Sequence, residues 1–218
     1  TIPEGEQEKF DSLPAQYSHL YLCIAGELAA VICIYDPLRA EAKDAIRALH
    51  ACGISKVVMM TGDNRRTAAS VAEEVGVDEF YAEVLPEDKA AFIRREKAAG
   101  RTVIMIGDGV NDSPALSEAD AGVAISTGAA IAREIADITI AADSLWELVR
   151  LRQLAMGLMY RIQNNYRFVI GFNGALIGLG AAGVLAPATS AMLHNLSTLG
   201  VSLHSMRALP LPKSGQRF

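Results

Sequence analysis

Asp108 and Asp112 stand four residues apart in Gly107-Asp108-Gly109-Val110-Asn111-Asp112-Ser113-Pro114-Ala115-Leu116, directly after the apolar run Thr102-Val103-Ile104-Met105-Ile106. Two carboxylates at this spacing, with an amide between them and glycines that admit close backbone approach, make the protein half of a hard-cation site beside a phosphate. Mg²⁺ takes oxygen ligands, commonly one or two carboxylates completed by phosphate oxygens and water. Asp108 and Asp112 are therefore candidate Mg²⁺ ligands, and Asn111 is a candidate hydrogen-bond partner of a phosphoryl oxygen. Two further groups suit the same chemistry. Thr61, in Thr61-Gly62-Asp63-Asn64, offers a hydroxyl and the Gly62 amide to a phosphate. Lys89, in Pro86-Glu87-Asp88-Lys89, places a cation in a helix first turn, where the dipole already favours an anion. Phosphoryl transfer depends on positioning and charge neutralisation, and this set supplies both.

The surrounding pattern positions these groups at strand ends. His19–Ile24 and Leu28–Tyr35 read as a hairpin about Ala25-Gly26-Glu27. From Arg39 onward, helices and strands alternate. Ala40–Cys52 is a helix stopped by Gly53, and Lys56–Met60 is a buried strand. Arg66–Val75 is a helix stopped by Gly76, and Glu87–Ala99 is one opened by Pro86 and closed by Gly100. Strand 102–106, a helix from Ser113, and strands Gly122–Ile125 and Ile138–Ala141 follow. This alternation predicts βαβ units and a doubly wound parallel sheet, whose ligands bind beyond the carboxyl ends of the strands. The Thr61 turn and the 107–116 segment both lie there.

The last third differs in kind. Leu145–Asn165 reads as a long helix with Arg150, Arg152 and Arg161, and Arg167 follows it. Phe168–Leu185 is uncharged and about long enough to cross the ~30 Å hydrocarbon layer when its flanks are included. Ala186-Pro187-Ala188 breaks it, and a second uncharged run reaches about Met206, before Arg207, Lys213 and Arg217. Basic residues at both outer ends and none in the connection predict a transmembrane hairpin with both ends in the cytoplasm. Gly171, Gly174 and Gly178 form a small-residue stripe suited to close helix packing.

The 218-residue chain has a net charge of −5 and no basic footprint, which argues against nucleic acid as a partner. Cys23, Cys33 and Cys52 are scattered and read as reduced core thiols. No signal peptide opens the chain; it begins with Thr1 rather than Met, which reads as a fragment of a longer polypeptide.

Taken together, Asp36-Pro37-Leu38-Arg39, Thr61-Gly62-Asp63-Asn64, Pro86-Glu87-Asp88-Lys89 and the 107–116 segment resemble the ordered motif series of P-type ATPases, in the heavy-metal-transporting class. The resemblance covers essentially the whole chain. It implies an α/β fold of the haloacid-dehalogenase type followed by a stalk helix and a two-helix transmembrane hairpin. Residues 1–35 would be the tail of a nucleotide-binding domain, 36–144 the phosphorylation domain and 145–165 the stalk. Residues 166–207 would be the hairpin and 208–218 a cytoplasmic tail. It implies ATP and Mg²⁺ as cofactors, with Thr61, Gly62, Asp63 and Lys89 on the nucleotide or phosphoryl group, Asp108 on Mg²⁺, and Asn111 and Asp112 supporting that site. Its partners would be a transported heavy-metal cation, membrane lipid and the missing amino-terminal portion of the same pump.

One departure is decisive. The family's nucleophilic aspartate, in Asp-Lys-Thr-Gly, is absent. Asp36 follows an apolar run as a nucleophile should, but Pro37 and Leu38 after it fit a hinge, so Asp36 reads as structural and the chain alone is expected to be inactive. A phosphatase of the same fold and a non-catalytic membrane module of a split ATPase are the alternatives. For the ion, His194, Asn195, Ser197 and Thr198 in the closing helix are candidate ligands, with Ser202 and Ser205 on the His194 face and Asn173 in the preceding helix. The Tyr-Asn and Met-x-x-Ser patterns expected of copper pumps, and the Lys and Asp expected of zinc and cadmium pumps, are both missing. Histidine with hydroxyl and amide neighbours favours a divalent transition metal over copper(I).

Overall fold

The computed structural model describes residues 2, 5–14, 17–34, 37–107, 111–125, 135–141 and 144–209. Asp36, Asp108, Gly109, Val110, Lys213 and Arg217 lie outside the described residues. The chain divides into two compact units, Thr1–Glu147 and Leu148–Phe218.

The first unit opens with a short helix, α1 (Gln7–Asp11), and an antiparallel pair, β1 (Ser18–Ile24) and β2 (Glu27–Ile34). Ala25 and Gly26 join them with φ of 52° and 86°, the doubly positive turn whose twist matches two paired strands. Leu20, Leu22, Ile24, Ile32 and Ile34 of this ribbon are exposed. Cys23 and Cys33 are exposed as well, so the core-thiol expectation holds only for buried Cys52.

Helices and parallel strands then alternate: α2 (Ala42–Ala51), β3 (Val58–Met60), α3 (Arg65–Val75), β4 (Glu79–Tyr81), α4 (Pro86–Ala98), β5 (Ile104–Gly107), α5 (Ser113–Glu118), β6 (Ala121–Ile125) and β7 (Ile138–Ile140). The Asn64 side chain caps α3 by accepting the Thr67 amide at 3.0 Å, and Gly76 ends it at φ 76°. Pro86 opens α4, and the Asp88 carboxylate accepts the Leu85 amide at 3.1 Å. Strand β4, opposite β3, is one that the alternation did not predict.

Among the described residues the strands form two parallel groups, β3–β4 and β5–β6–β7, in place of one continuous sheet. Strands β3 and β5, which lead into the two candidate motifs, do not pair with each other. Strand β5 also keeps Ile104 and Ile106 exposed at 44% and 40%, so this apolar run has an uncovered face.

Each parallel pair begins with the same device. Asp78 accepts the Val57 amide at 2.6 Å, Asp120 the Val103 amide at 2.8 Å, and Asp137 the Gly122 amide at 2.8 Å. In each case the aspartate directly precedes a strand, and its carboxylate takes an amide at or just before the start of the neighbouring strand. A charge-assisted bond of this kind satisfies a backbone donor that the ladder leaves over.

The core gathers where α4 and α5 meet β6. Ile93, Leu116 and Val123 are the largest fully buried side chains, at 2%, 0% and 1% exposure. Gly122 is required there, because a Cβ would stand 2.6 Å from the Leu116 carbonyl oxygen. Lys97 in the last turn of α4 donates to the Glu118 carbonyl at 2.7 Å and pairs with Asp120 at 3.4 Å.

The second unit carries the helix α6 (Trp146–Ala181), which begins in the first unit, and α7 (Pro187–Ser205). The expected stalk and first hairpin helix are one continuous helix of 36 residues, about 54 Å long. It stops before Leu185 because Gly183 takes φ 73° and closes the last turn onto Gly180. Among the described residues no helix is long and apolar enough to cross a membrane. The second half of α6 includes Asn164, Asn165, Arg167 and Asn173, and α7 carries His194, Asn195 and several hydroxyls. A Cβ at Gly171, Gly174 or Gly178 would meet nothing within 4 Å, so the small-residue stripe carries no close helix approach here. The two helices are tied instead by Arg161, whose guanidinium donates to the carbonyls of Ser205, Arg207 and Ala208, and by Asn165, which donates to the Ser205 hydroxyl.

Candidate functional site

Lys89 and Asp112, 23 residues apart, meet. Lys89 Nζ lies 2.7 Å from Asp112 Oδ1, with the side chains 15% and 13% exposed. Lys89 projects from the first turn of α4, and Asp112 is the residue before α5. Lys97, at the other end of α4, bonds the end of α5, so the two helices run in the same direction and are pinned at both ends.

Gly107, the last residue of β5, makes room for the anion. A Cβ there would stand 2.5 Å from Asp112 Oδ2, 2.7 Å from its Cβ and 3.0 Å from its Cγ. The Asp112 side chain makes no cap bond to α5, so its carboxylate is turned to Lys89 and the strand end. Asn111 is exposed in the bend just before it, and Asp108 lies outside the described residues.

The Thr61 turn is a closed loop of bonds. The Thr61 hydroxyl donates to Asp63 Oδ2 at 2.7 Å and accepts the Asp63 amide at 3.1 Å. Its proton is thus committed within the turn, which differs from the expectation of a hydroxyl offered outward. The Gly62 amide, in contrast, has no hydrogen-bond partner among the described residues. The turn is held to the approach of α4: the Glu83 amide donates to the Asp63 carbonyl at 2.9 Å and the Val84 amide to the Thr61 carbonyl at 3.0 Å. Glu83 takes φ 56°, a left-handed conformation uncommon for a residue with a side chain, and those two bonds offset its cost. Two hydrogen bonds therefore tie the Thr61 turn to residues 83–84, which lead into the turn of α4 that carries Lys89. No bond joins the Thr61 side chain to the Lys89–Asp112 pair.

Glu83 and Val84 are the positioning residues that sequence reasoning missed, and neither carried a signal there. Gly107 does what was expected of the glycines in the 107–116 segment, which is to admit a close approach.

The fit to Mg²⁺ is one of donor type. Among the described residues no group of three or more histidines, cysteines or acidic side chains could hold an ion. Asp112 brings hard carboxylate oxygens to a strand end with no Cβ in front of them. That fits an ion that takes few protein ligands and completes its shell with phosphate oxygens and water.

In the second unit, His194 Nδ1 lies 2.9 Å from Asn173 Oδ1. With this amide orientation Nδ1–H donates to the Asn173 oxygen. Both residues line a cavity of about 580 Å³ with Leu176, Ile177, Leu185 and Ser190. The hydroxyls of Ser197 and Thr198 donate to the His194 carbonyl at 2.8 and 3.1 Å, and Ser202 and Ser205 bond back one turn in the same way. Asn195 is exposed. The structure thus joins His194 to Asn173, while the hydroxyls are satisfied by their own helix.

Comparison with known proteins places the chain in a family. The sequence profile of the haloacid dehalogenase-like hydrolases matches residues 2–120. The copper-transporting ATPase 2 of Rhizobium meliloti is 45% identical over 176 residues, covering 81% of this chain and 21% of that protein. The manganese-exporting P-type ATPase of Mycobacterium bovis is 41% identical over 191 residues, covering 87% of this chain and 27% of that protein. The crystal structure of a zinc-transporting PIB-type ATPase in the E2.Pi state superposes with a TM-score of 0.82 at 30% identity, covering 96% of this chain and 34% of that one. The chain thus spans about a fifth to a third of the length of these relatives.

Proposed function

The chain belongs to the haloacid dehalogenase-like hydrolase family, and on that premise we propose that it is the carboxyl-terminal part of an ATP-driven heavy-metal pump of the P-type. Within this reading residues 36–144 form the phosphorylation domain, and residues 1–35 complete a nucleotide-binding domain. Residues 145–165 are the stalk, 166–207 a membrane hairpin and 208–218 a cytoplasmic tail. The Lys89–Asp112 pair at 2.7 Å carries the proposal, because it sets a cation and a metal-binding anion together at the end of the strand expected to face a phosphate.

Mg²⁺, held by Asp112 with Asp108, would supply positive charge to neutralise phosphoryl oxygens. Lys89 holds its ammonium beside that position, compensated by Asp112 until an incoming phosphoryl oxygen competes for it. The Gly62 amide is the ready donor of the Thr61 turn. The Thr61 hydroxyl joins it by rotating its proton away from Asp63, and Asn111 is exposed beside Asp112. These groups act by orientation and charge, without a covalent role.

The nucleophile is read as an aspartate outside this chain. Among the described residues β3 and β5 each pair on one side only, which supports this by leaving an edge open to a strand from another part of the polypeptide.

The hairpin reading is supported by the absence of charge from Phe168 to Met206, by basic Arg161, Arg167 and Arg207 at its ends, and by exposed Ile170, Ile177, Val184, Leu196 and Leu199. Lipid is then the partner of those side chains, and the phosphorylation domain lies in the cytoplasm. The cargo is read as a divalent transition metal, with His194 Nε2 as its ligand from this hairpin and Asn173 orienting the ring.

The test is ATP hydrolysis by the intact polypeptide across copper, zinc, manganese and cobalt ions. Hydrolysis stimulated by a divalent ion and abolished by Asp108→Asn is expected. Turnover indifferent to every ion, or near-normal in Asp108→Asn, would remove the assignment.

A further inference from the structure

We propose that Glu41 is a positioning residue that fixes the start of α6 to the segment entering α2, so that movement of that segment is delivered along α6 as far as Asn173. The inference rests on the pump reading above. Glu41 Oε1 accepts the Leu145 amide at 2.7 Å, a partly buried bond between residues 104 apart in the chain. Leu145 directly precedes α6, whose first amides have no partner within the helix. Ser144 takes the next ones: its hydroxyl accepts the Trp146 amide and its carbonyl the Glu147 amide, each at 3.3 Å. The Glu41 carboxylate adds negative charge at the positive end of the helix dipole, where a charge-assisted bond is strongest.

The other side of Glu41 is equally fixed. Its carbonyl accepts the Ala45 amide at 2.9 Å in the first turn of α2, and Ala42 and Ala45 are buried at 8% and 1% exposure. One residue therefore serves two helix starts, α2 through its backbone and α6 through its side chain. It directly follows the Asp36–Ala40 stretch, whose first four residues resemble a hinge. Helix α6 continues unbroken from Trp146 past Asn173, which pairs with His194. Proline is the commonest cause of a sharp kink, and α6 contains none.

An ordinary capping role would affect stability alone, so the test separates coupling from folding. In vesicles containing the intact pump, Glu41→Ala should lower the ions moved per ATP hydrolysed by about fivefold, with phosphoenzyme formed to the same level as in the parent. Glu41→Gln, whose amide oxygen still accepts the Leu145 N–H, should keep the parent ratio. Should Glu41→Ala not fold, Glu41→Asp, too short to reach Leu145, takes its place with the same expectation. An unchanged ratio in the Ala or Asp variant, a ratio lost in Glu41→Gln, or hydrolysis and transport falling in parallel would each overturn the proposal. Amide exchange at Leu145 and Trp146, which needs no pump activity, should rise about fivefold in the Ala or Asp variant and not in Gln. Unchanged exchange overturns the anchor itself. Absence of metal-stimulated hydrolysis in the parent would instead sink the pump reading and the coupling role with it, while exchange still reports on the anchor.

Discussion

Lys89 and Asp112 are joined at 2.7 Å across 23 residues of chain, one at the start of α4 and the other just before α5. Their union depends on the parallel packing of the two helices and on a strand end, Gly107, with no side chain of its own. The pair is shielded from water, which makes each partner costly to leave alone.

Removing one partner should therefore be worse than removing both. Lys89→Met is expected to destabilise the first unit by about 3 kcal/mol, by stranding the Asp112 carboxylate. Lys89→Met with Asp112→Leu should recover much of that loss in urea denaturation without restoring ATP hydrolysis. A double variant no more stable than the single one would show that the pair is not coupled.

Gly107→Ala tests the room made for the anion. Its Cβ would meet Asp112 Oδ2 at 2.5 Å, whereas a Cβ at Gly62 would find the Val84 carbonyl oxygen at 3.9 Å. A stability loss of about 1–3 kcal/mol is expected at Gly107 from overpacking, with little change at Gly62. Equal melting temperatures for the two variants would contradict this geometry.

Asp120 sets an acid limit. The Val103 amide, aided by Lys97, holds its carboxyl below the usual range against the opposing effect of desolvation. A lowered folded-state value means that the stability it contributes is complete above the ordinary carboxylate range and is lost as pH falls through the folded value. The stability gap between the parent and Asp120→Ala should thus be full at neutral pH and close below about pH 4. A gap constant with pH would point to packing in place of charge.

Lys56 and Glu79, 2.7 Å apart, set a second window. Their mutual hydrogen bond raises the Lys56 value and lowers the Glu79 value. Their contribution should be present from neutral pH up to the ordinary lysine range and decline as pH rises through the raised Lys56 value. It should also decline as pH falls through the lowered Glu79 value. Both groups are solvent-facing, so 1 M salt should shrink the effect of Lys56→Met on melting temperature; salt-independence would argue against an ion pair.

His194→Ala should change which ions stimulate hydrolysis, and Asn173→Ala should weaken stimulation while retaining the order of ions, because it only orients the ring. An unchanged ion profile in His194→Ala would leave the Asn173–His194 contact as interhelical packing.

Much of the first unit was legible because local chemistry marks its boundaries. Gly76 closes α3 and Pro86 opens α4, and in the second unit Pro187 opens α7 in the same way. What escaped was set by distant partners. Strand β4 has no apolar run of its own; it exists because Glu79–Tyr81 register against β3 and Asp78 takes the Val57 amide. The unbroken α6 was missed for a different reason: the change from charged to uncharged residues near Arg167 is a change of solvent preference, and no proline interrupts the backbone there. At the site, residue types and spacing identified Lys89 and Asp112, but that they touch depends on helix packing that no local pattern encodes. The Thr61 hydroxyl turns inward because the Asp63 carboxylate, two residues on, lies within hydrogen-bond reach of it.

The aspartates that begin each parallel pair lie at the opposite ends of the strands from Thr61, Gly107 and Asp112. Strand cohesion and the phosphate chemistry proposed above are thereby assigned to opposite poles of the same few strands. A mutation at the aspartate pole changes how long the molecule lasts and leaves the groups of the other pole in place, whereas one at Lys89, Gly107 or Asp112 changes both. Sequence drift and protein engineering thus have, at the aspartate pole, a dial for durability alone within a fold of modest size.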